Sequence, residues 1–316
     1  HVRSRRQRQM CIRDRAYTVI NGKDIASLAL VTREPQALGP HDVRVRINAV
    51  SLNFRDLMVA RGDYLQGASS PVIPASDAAG EVIEVGKAVT RFAPGDRVMG
   101  SFFPDWIDGD ATPATTRVAP GAATDGVLST ERVFAETALA ATPPSLSDEQ
   151  ASTLPCAAVT AWNALFVAGG AKAGHTALFL GTGGVSVWGL QLAKAAGLRA
   201  IITSSSASKL ERARAMGADG LINYRDTPDW QDEALRLTDG EGAHVVLEVG
   251  GEGTLARSVA AARMGGTIAV IGGVSGFAAV PVAPLALIAG SKRLQGIFVG
   301  SRRICLLYTS PSPRDG

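Results

Sequence analysis

The spacing of hydrophobic positions differs between the two halves of the chain. From Tyr17 to about Ala141, apolar and polar residues alternate over short stretches such as "DVRVRINAV" (42–50) and "AGEVIEVG" (79–86), and turn signals such as "APGDRV" (93–98) separate them. A period of two is typical of half-buried strands. The first half therefore predicts short antiparallel strands joined by turns.

The second half alternates apolar strands with helices, after a predicted helical linker at 146–165. Continuous apolar strands are typical of a parallel sheet that helices cover on both faces. The predicted strands are 176–181, 199–204, 220–224, 244–250 and 266–273, and the predicted helices are 184–197, 207–216, 229–237 and 253–264. In the first half, residues 104–127 are poor in large apolar side chains and predict a long surface loop that could line or cover a site.

Both ends of the chain resemble translated sequencing adapters. Codons for Cys-Leu-Leu-Tyr-Thr (305–309) can form an oligonucleotide whose reverse complement encodes Met-Cys-Ile-Arg-Asp (10–14). We therefore expect residues 1–15 and 304–316 to be sequencing-adapter artefacts outside the fold, and the reading frame between them to be C-terminally truncated. The alternative is a basic N-terminal arm and a disordered Pro/Ser tail.

Without those ends the chain carries almost no net charge. They hold seven of its 32 Lys and Arg residues and two of its 29 Asp and Glu residues, which leaves 25 basic against 27 acidic side chains. We therefore expect no nucleic-acid or membrane partner. Only Cys156 of the three cysteines lies between the ends, so a disulfide framework is not expected. No apolar run reaches the roughly 20 residues of a membrane span.

A glycine pattern joins the strand 176–181 to the helix that follows it. Gly181-x-Gly183-x-x-Ser186 in this context predicts a dinucleotide loop. The first glycine permits a tight turn, the second lets the backbone approach a pyrophosphate, and the third position needs only a small residue; Gly189 follows one turn later. The residues of this loop predicted to contact the cofactor are Gly181, Gly183, Gly184, Val185 and Ser186. The alternative is a glycine turn without a ligand.

The end of the next strand favours NADP(H) over NAD(H). An NAD site usually places an acidic side chain there, where this chain has Ser204, Ser205 and Ser206, followed by Lys209. Hydroxyls and an ammonium group suit a 2′-phosphate, which a carboxylate would repel. Tyr224 could add a hydroxyl donor. The alternatives are a helix cap for the serines and a solvated helix residue for Lys209.

Together these segments resemble the medium-chain dehydrogenase/reductase superfamily. The resemblance covers about 16–303 and rests on "SLNFRDLMVARGDY", "PASDAAGEVIEVG", "APGDRV", "LPCAAVTAWNAL", "GTGGVS", "GADGLINYR" and "GIFVGS". It implies an α/β protein with a GroES-like β-barrel substrate domain at 16–141 and a Rossmann doubly wound parallel-sheet domain at 142–303, with the substrate between them.

The resemblance also shows which metal ligands are missing. Zinc enzymes of the superfamily usually bind catalytic metal through a Cys, a His-Glu pair and a later Cys or Asp. Here Asn53 and Ser76-Asp77 stand at the first positions, and only Cys156 remains, which we interpret as a small buried hydrophobe. The other histidines are scattered without ligand spacing: His41, His175 and His244. The chain is thus similar to the zinc-independent quinone oxidoreductase and enoyl reductase branch, with no metal.

The same resemblance assigns catalytic and nicotinamide-side residues. Tyr64 stands where enoyl-reductase relatives have a Tyr, and Asn53 resembles a residue that contacts the substrate oxygen; their alternatives are a loop aromatic and a turn amide. Arg55 and Asp56 are interpreted as a structural pair. Thr160 and Phe298-Val299-Gly300 match positions that line the nicotinamide, although "GIFVG" (296–300) also fits a sixth strand. The remaining cofactor-binding residues are Val249, Gly250 and Gly272.

The sequence therefore predicts an NADPH-dependent oxidoreductase that transfers hydride to a quinone or α,β-unsaturated carbonyl without metal. One alternative is an NAD(P)-dependent alcohol dehydrogenase with a weak metal at Cys156. Another is a non-catalytic dinucleotide-binding sensor or structural protein. We expect a homodimer through the sheet edge and, by default, a cytoplasmic protein. A hydrolase is not expected, because no Gly-x-Ser-x-Gly elbow occurs.

Overall fold

The computed structural model describes residues 14–64 and 70–307. The chain divides into two compact units, one formed by the residues up to Cys156 together with those from Ser301, and the other by Ala157–Gly300. Of the predicted adapter-derived ends, residues 1–13 and 308–316 lie outside the described residues. Asp14 and Arg15, however, pair with the second strand, and residues 304–307 belong to the last helix, in which Ile304 and Cys305 are buried. The artefact assignment and the domain boundaries at 141 and 303 stay predictions.

The described residues form strands and helices that we number in chain order. The strands are β1 (Asp14–Thr18), β2 (Ala29–Arg33), β3 (Asp42–Ser51), β4 (Asp77–Val85), β5 (Arg97–Gly100), β6 (Glu131–Ala135), β7 (Leu139–Ala141), β8 (Thr176–Phe179), β9 (Arg199–Ser204), β10 (Gly220–Asn223), β11 (Ala243–Glu248), β12 (Ala262–Val270) and β13 (Arg293–Gly296). The α-helices are α1 (Phe54–Arg61), α2 (Asp148–Ala151), α3 (Val159–Trp162), α4 (Gly184–Ala195), α5 (Ala207–Ala215), α6 (Trp230–Arg236), α7 (Leu255–Ala261), α8 (Pro284–Ile288) and α9 (Arg302–Leu307).

The first unit is built on antiparallel strands, as its alternating pattern predicts. A five-stranded sheet runs in the order β6-β3-β4-β5-β7, and β1 pairs with β2. Along β3, Val43 and Val45 are buried in a valine-rich core, while Arg44 and Arg46 reach carboxylates on β4. The period of two thus separates a core face from a charged face.

The second unit contains a six-stranded sheet in the order β10-β9-β8-β11-β12-β13. All of its strand pairs are parallel. Successive residues of β8 enter opposite cores, since Phe179 packs under α4 and Leu178 packs on the other face with Trp230. This is the doubly wound arrangement, in which the chain runs outward from its first strand in both directions. The predicted Rossmann sheet is confirmed.

Several predicted boundaries were wrong. The linker 146–165 is an interrupted helix, because π-helical segments at Leu154–Ala158 and Asn163–Ala168 flank α3. The predicted helix 253–264 ends at Ala261, where β12 begins. Of the "GIFVG" segment only Gly296 belongs to the sixth strand of the parallel sheet.

Two further predictions about the fold need correction. Residues 104–127 contain no helix or named strand, yet Ala119, Ala122 and Val127 in this segment are buried rather than on the surface. His175 and His244 are not scattered, since adjacent strands place their rings in a stack with centroids 4.0 Å apart. Burial lowers the pKa of both imidazoles, and nearby positive charges lower it further.

All four residues of the edge strand β13 are exposed. The predicted homodimer through this sheet edge stays a prediction. None of the described helices has the length and apolar character that a bilayer-spanning segment requires.

Candidate functional site

The predicted cofactor residues of the second unit gather at one edge of its sheet. Because the six strands are parallel, their carboxyl ends meet at this edge, and β8 and β11 form the point where the strand order reverses. Short contacts join neighbouring ends: Gly181 N donates to Thr203 Oγ1 at 3.0 Å, and Tyr224 N donates to the Ser204 carbonyl at 3.1 Å. The residues that follow these strands are Gly181–Ser186, Ser204, Ser205, Tyr224, Val249, Gly250, Gly272 and Phe298.

The glycine loop after β8 has the geometry of an anion cradle. Gly181 adopts a φ of +70°, a left-handed conformation that favours glycine. Gly183 caps α4 with extended backbone, and a Cβ placed on it would meet no atom within 4 Å. The open space lies beside the free amides at the N-terminus of a 12-residue helix. These residues therefore fit the pyrophosphate of a dinucleotide.

The helix α4 approaches β8 closely through two small residues. A Cβ on Gly189 would lie 2.5 Å from the Phe179 ring and 3.2 Å from Leu247, so this position requires glycine. Ser186 is buried, and its hydroxyl donates to the Leu180 carbonyl at 2.7 Å. The third position of the glycine pattern thus does more than allow close packing, because its side chain forms a hydrogen bond that joins the helix to the strand.

The sequence analysis missed Glu248, which orders the loop after β11. Its buried carboxylate accepts hydrogen bonds from Gly250 N at 2.7 Å, Gly251 N at 2.9 Å and the hydroxyls of Thr254 and Ser258. The signal was a single acidic residue in the apolar strand "HVVLEVG". The predicted cofactor residues Val249 and Gly250 are therefore held by a fully bonded carboxylate.

The ends of β9 and β10 present basic and hydroxyl side chains to solvent. Ser206 caps α5, so the alternative that the serines form a helix cap is correct for this residue. Ser204 is buried, and its hydroxyl lies 3.2 Å from Thr182 Oγ1. Lys209 and Tyr224 are exposed. Arg225, also exposed, follows Tyr224 and was missed, although its basic side chain directly after a predicted strand was a usable signal.

The segment after β13 contains backbone strain. Val299 has a φ of +56°, which is unusual for a β-branched residue. Its carbonyl accepts a hydrogen bond of 2.8 Å from Asn163 Nδ2, just beyond α3, which also contributes the buried Thr160. Such outliers persist where the surroundings hold them and they cluster at ligand sites. The strain agrees with the predicted role of residues 298–300, which stays a prediction.

In the first unit, Asp77 forms the centre of a buried polar cluster. Its carboxylate is fully buried and accepts hydrogen bonds from Ser76 Oγ at 2.5 Å and from Cys156 N at 2.9 Å. Burial raises the pKa of Asp77 to about 6, and the contacts with Ser76, Asn53 and Cys156 oppose that rise. Asn53 Nδ2 lies near the carboxylate, yet it is buried without an acceptor in hydrogen-bond geometry.

This cluster does not fit a catalytic zinc ion. Over residues 14–64 and 70–307, no three His, Cys, Asp or Glu side chains come together in a way that could hold a metal. Both oxygens of Asp77 already accept hydrogen bonds within the protein, one of them from the backbone amide of Cys156. The side chain of Cys156 is half-buried rather than buried, so that prediction was wrong. Catalytic zinc needs about three protein ligands.

Tyr64 and Asn53 lie at opposite ends of α1. Asn53 precedes the helix and donates its backbone N–H to Asp56 Oδ2 at 2.8 Å. Tyr64 follows the helix, is half-buried, and packs on a core that includes Val59. The Arg55 guanidinium stacks over the Tyr64 ring at 4.8 Å and lies 3.5 Å from Asp56 Oδ1. The structure thus brings Arg55, rather than Asn53, against the predicted catalytic tyrosine.

Comparison with known proteins identifies the family to which the chain belongs. Residues 39–144 match the alcohol dehydrogenase GroES-like domain, and residues 184–306 match the zinc-binding dehydrogenase family. A zinc-type alcohol dehydrogenase-like protein of Schizosaccharomyces pombe is 44% identical over 274 residues, which span 84% of this chain and 79% of that protein. The chain belongs to the medium-chain dehydrogenase/reductase superfamily.

Other members of the superfamily agree with this placement. The crystal structure of a putative alcohol dehydrogenase from Sinorhizobium meliloti 1021 shares 42% sequence identity and a TM-score of 0.85, over 95% of this chain and 88% of that one. A quinone oxidoreductase of Pseudomonas aeruginosa is 33% identical over 247 residues, 77% of this chain and 68% of that protein. Membership implies an oxidoreductase with NAD(H) or NADP(H) and a small-molecule substrate.

Substitutions at two glycines of α4 should separate folding from cofactor binding. Gly189→Ala should lower the unfolding free energy by about 1–3 kcal/mol, because the added methyl group overpacks against Phe179. Gly183→Asp should change the unfolding free energy by less than about 1 kcal/mol, since Asp is a favoured N-cap. It should nevertheless weaken NAD(P)H binding at least about tenfold, because the carboxylate repels the pyrophosphate. Urea unfolding and fluorescence titration measure the two effects. Equal loss of stability in both variants would contradict the assignment.

Asp77→Asn should stabilise the protein, and more so at neutral than at acidic pH. The pKa of Asp77 is about 6 in the folded state, against about 3.9 when unfolded, so the cost of its buried charge grows as pH rises between these values. Asn keeps an acceptor for Cys156 N and a donor for Ser76. Urea unfolding should show an advantage that is roughly 2 kcal/mol larger at about pH 7.5 than at about pH 4.5. A pH-independent difference between the two proteins would refute this.

Proposed function

We propose that this superfamily member is an NADPH-dependent reductase that transfers hydride to a quinone or an α,β-unsaturated carbonyl without a metal ion. The observation that carries the proposal is the cluster of Asn53, Ser76 and Asp77, which occupies the positions of the missing metal ligands. Its carboxylate is bonded within the protein, and its Asn53 amide retains an unused buried donor. The likeness to a quinone oxidoreductase supports the same reaction class.

The first unit would supply hydrogen-bond and proton donors. A bound nicotinamide would supply a hydride to the β-carbon of the substrate. Negative charge would then develop on the carbonyl oxygen that is conjugated with this carbon. Asn53 Nδ2 is suited to stabilise that oxygen, because a buried donor without a partner gains a full hydrogen bond when an acceptor arrives. The Tyr64 hydroxyl would deliver the proton that completes the reduction.

The second unit would select NADPH at the ends of β9 and β10. Ser204, Ser205 and Ser206 stand where an NAD-preferring site has an acidic side chain. Lys209 and Arg225 are exposed cations beside this edge, and both suit a 2′-phosphate. A hydroxyl from Ser205 or Tyr224 would complete the site.

Lys209→Ala should raise the KM for NADPH about tenfold, because a charge-assisted hydrogen bond to the 2′-phosphate is lost. The KM for NADH should change less than about twofold. Arg212→Ala is the matched control, because Arg212 is an exposed cation one turn further along α5, and it should leave both values unchanged. Steady-state kinetics with each cofactor measure the effect. An equal rise of KM for NADH, or wild-type preference for NADH, would overturn the assignment.

Turnover should survive a chelator and weaken without the Tyr64 hydroxyl. We expect NADPH oxidation at 340 nm with a 1,4-quinone and an enone in EDTA, and a kcat for the enone in Tyr64→Phe that is lower by roughly 10²-fold, the scale of general acid catalysis. Tyr17→Phe is the control, since Tyr17 is an exposed tyrosine of β1. Because one relative is named alcohol dehydrogenase-like and another a putative alcohol dehydrogenase, alcohol oxidation is assayed in parallel. Activity that appears only with added zinc would establish that alternative instead.

A further inference from the structure

Arg55 is a buried cation with an unusual set of neighbours. It lies in the first turn of α1 and is only 7% exposed. Its Nη1 donates to the Pro120 carbonyl at 2.9 Å. The centre of the guanidinium lies 4.8 Å from the centroid of the Tyr64 ring and 5.0 Å from that of the Phe102 ring. Both rings are within the distance at which an aromatic face attracts a cation.

One edge of this guanidinium remains unused. Nε and Nη2 are both buried, and among residues 14–64 and 70–307 neither has a hydrogen-bond partner. These two nitrogens share one side of the guanidinium, where their N–H bonds point in parallel. Two parallel donors match the two oxygens of a carboxylate, which forms the strongest hydrogen-bonded pair that arginine makes.

Asp56 does not occupy this edge. Its nearest contact with Arg55 is at Nη1, at 3.5 Å, and its other oxygen accepts the Asn53 backbone N–H. Burial raises the pKa of Asp56, and Arg55 opposes that rise. The predicted structural pair therefore leaves the Nε/Nη2 edge without an acceptor. Buried charged donors without acceptors are costly, and an anionic ligand would remove that cost.

We propose that the Nε/Nη2 edge of Arg55 binds a carboxylate of the substrate. Because the Tyr64 ring stacks on the same guanidinium, a carboxylate held there lies beside the proposed proton donor. The substrate class is then an α,β-unsaturated ketone or aldehyde that also carries a carboxylate. Identifying the ligand as substrate rests on the proposed function, whereas carboxylate binding at Arg55 does not.

A matched pair of substrates tests the proposal in the full chain. The acid is trans-4-oxo-2-pentenoate and its partner is the methyl ester, which is intrinsically the better hydride acceptor. With NADPH, the wild type should reduce the acid with a kcat/KM at least about tenfold higher than the ester, the ratio expected from one bidentate charge pair. Calorimetric titration with the saturated acid, 4-oxopentanoate, and with its methyl ester measures binding without turnover.

Variants at Arg55 identify the group responsible. Arg55→Gln should abolish the preference for the acid, and Arg55→Lys should keep only part of it, because Lys retains the charge without the parallel donors. Arg61→Gln is the control, since Arg61 is an exposed arginine of the same helix, and it should keep the full preference. Thermal unfolding verifies that each variant is folded. If Arg55→Gln fails to fold, the Arg55→Lys comparison decides.

The outcomes separate this inference from the proposed function. Equal reduction of acid and ester by the wild type would overturn the carboxylate site while leaving the reductase intact. A preference that survives in both Arg55 variants would overturn it as well. If neither compound nor the 1,4-quinone is reduced, but 4-oxopentanoate binds in a way that depends on Arg55, the site is supported and the reductase is refuted. If no reduction and no Arg55-dependent binding are observed, both proposals are refuted.

Discussion

The close packing of α4 on β8 determines the geometry on which the dinucleotide site depends. Gly189 lets the Phe179 ring approach the helix backbone, and the Ser186 hydroxyl fastens the first turn to the Leu180 carbonyl. Both contacts hold the N-terminus of the helix at the end of the central strand. The amides of that terminus are then presented to an anion without a dedicated basic side chain. A longer side chain at Gly189 would displace the helix, and the cradle would lose its alignment before any ligand residue was changed.

The buried polar groups Glu248, Asn53 and Arg55 differ in whether their hydrogen bonding is saturated. Glu248 accepts four hydrogen bonds and therefore fixes the loop after β11. Asn53 and Arg55 retain buried donors that make no hydrogen bond of good geometry to the described residues, although Asn53 lies near the Asp77 carboxylate. A saturated group has no further capacity to bind, whereas an unsatisfied donor gains when a ligand arrives. Glu248 therefore stabilises the loop geometry, whereas the donors of Asn53 and Arg55 mark where oxygen atoms of a ligand would be favoured.

The sequence predicted the elements that depend on periodicity and missed those that depend on distant partners. The strands of the parallel sheet were recognisable because each is a short apolar run between turns. The helix 253–264 was predicted too long, because "AARM" favours helix locally, while Ala262 pairs in the sheet with Ala243. The stacking of His175 on His244 follows from the adjacency of β8 and β11, which depends on strand order. The environment of Arg55 requires Phe102 and Pro120, which are far from it in sequence and belong to irregular segments.

The proposal of metal-free chemistry depends on which groups of the first unit keep free hydrogen-bonding capacity. A metal ion stabilises developing charge through ligands that keep free lone pairs and are deprotonated. Asp77 already uses both of its oxygens to accept hydrogen bonds from Ser76 and Cys156, so a metal ion would have to compete with these contacts. The groups that keep unused capacity here are N–H donors on Asn53 and Arg55. Donors stabilise oxygen that becomes negative when hydride is added elsewhere in a conjugated system. They do not lower the pKa of an alcohol as a metal does, and for this reason the proposed function is reduction of activated double bonds rather than oxidation of simple alcohols.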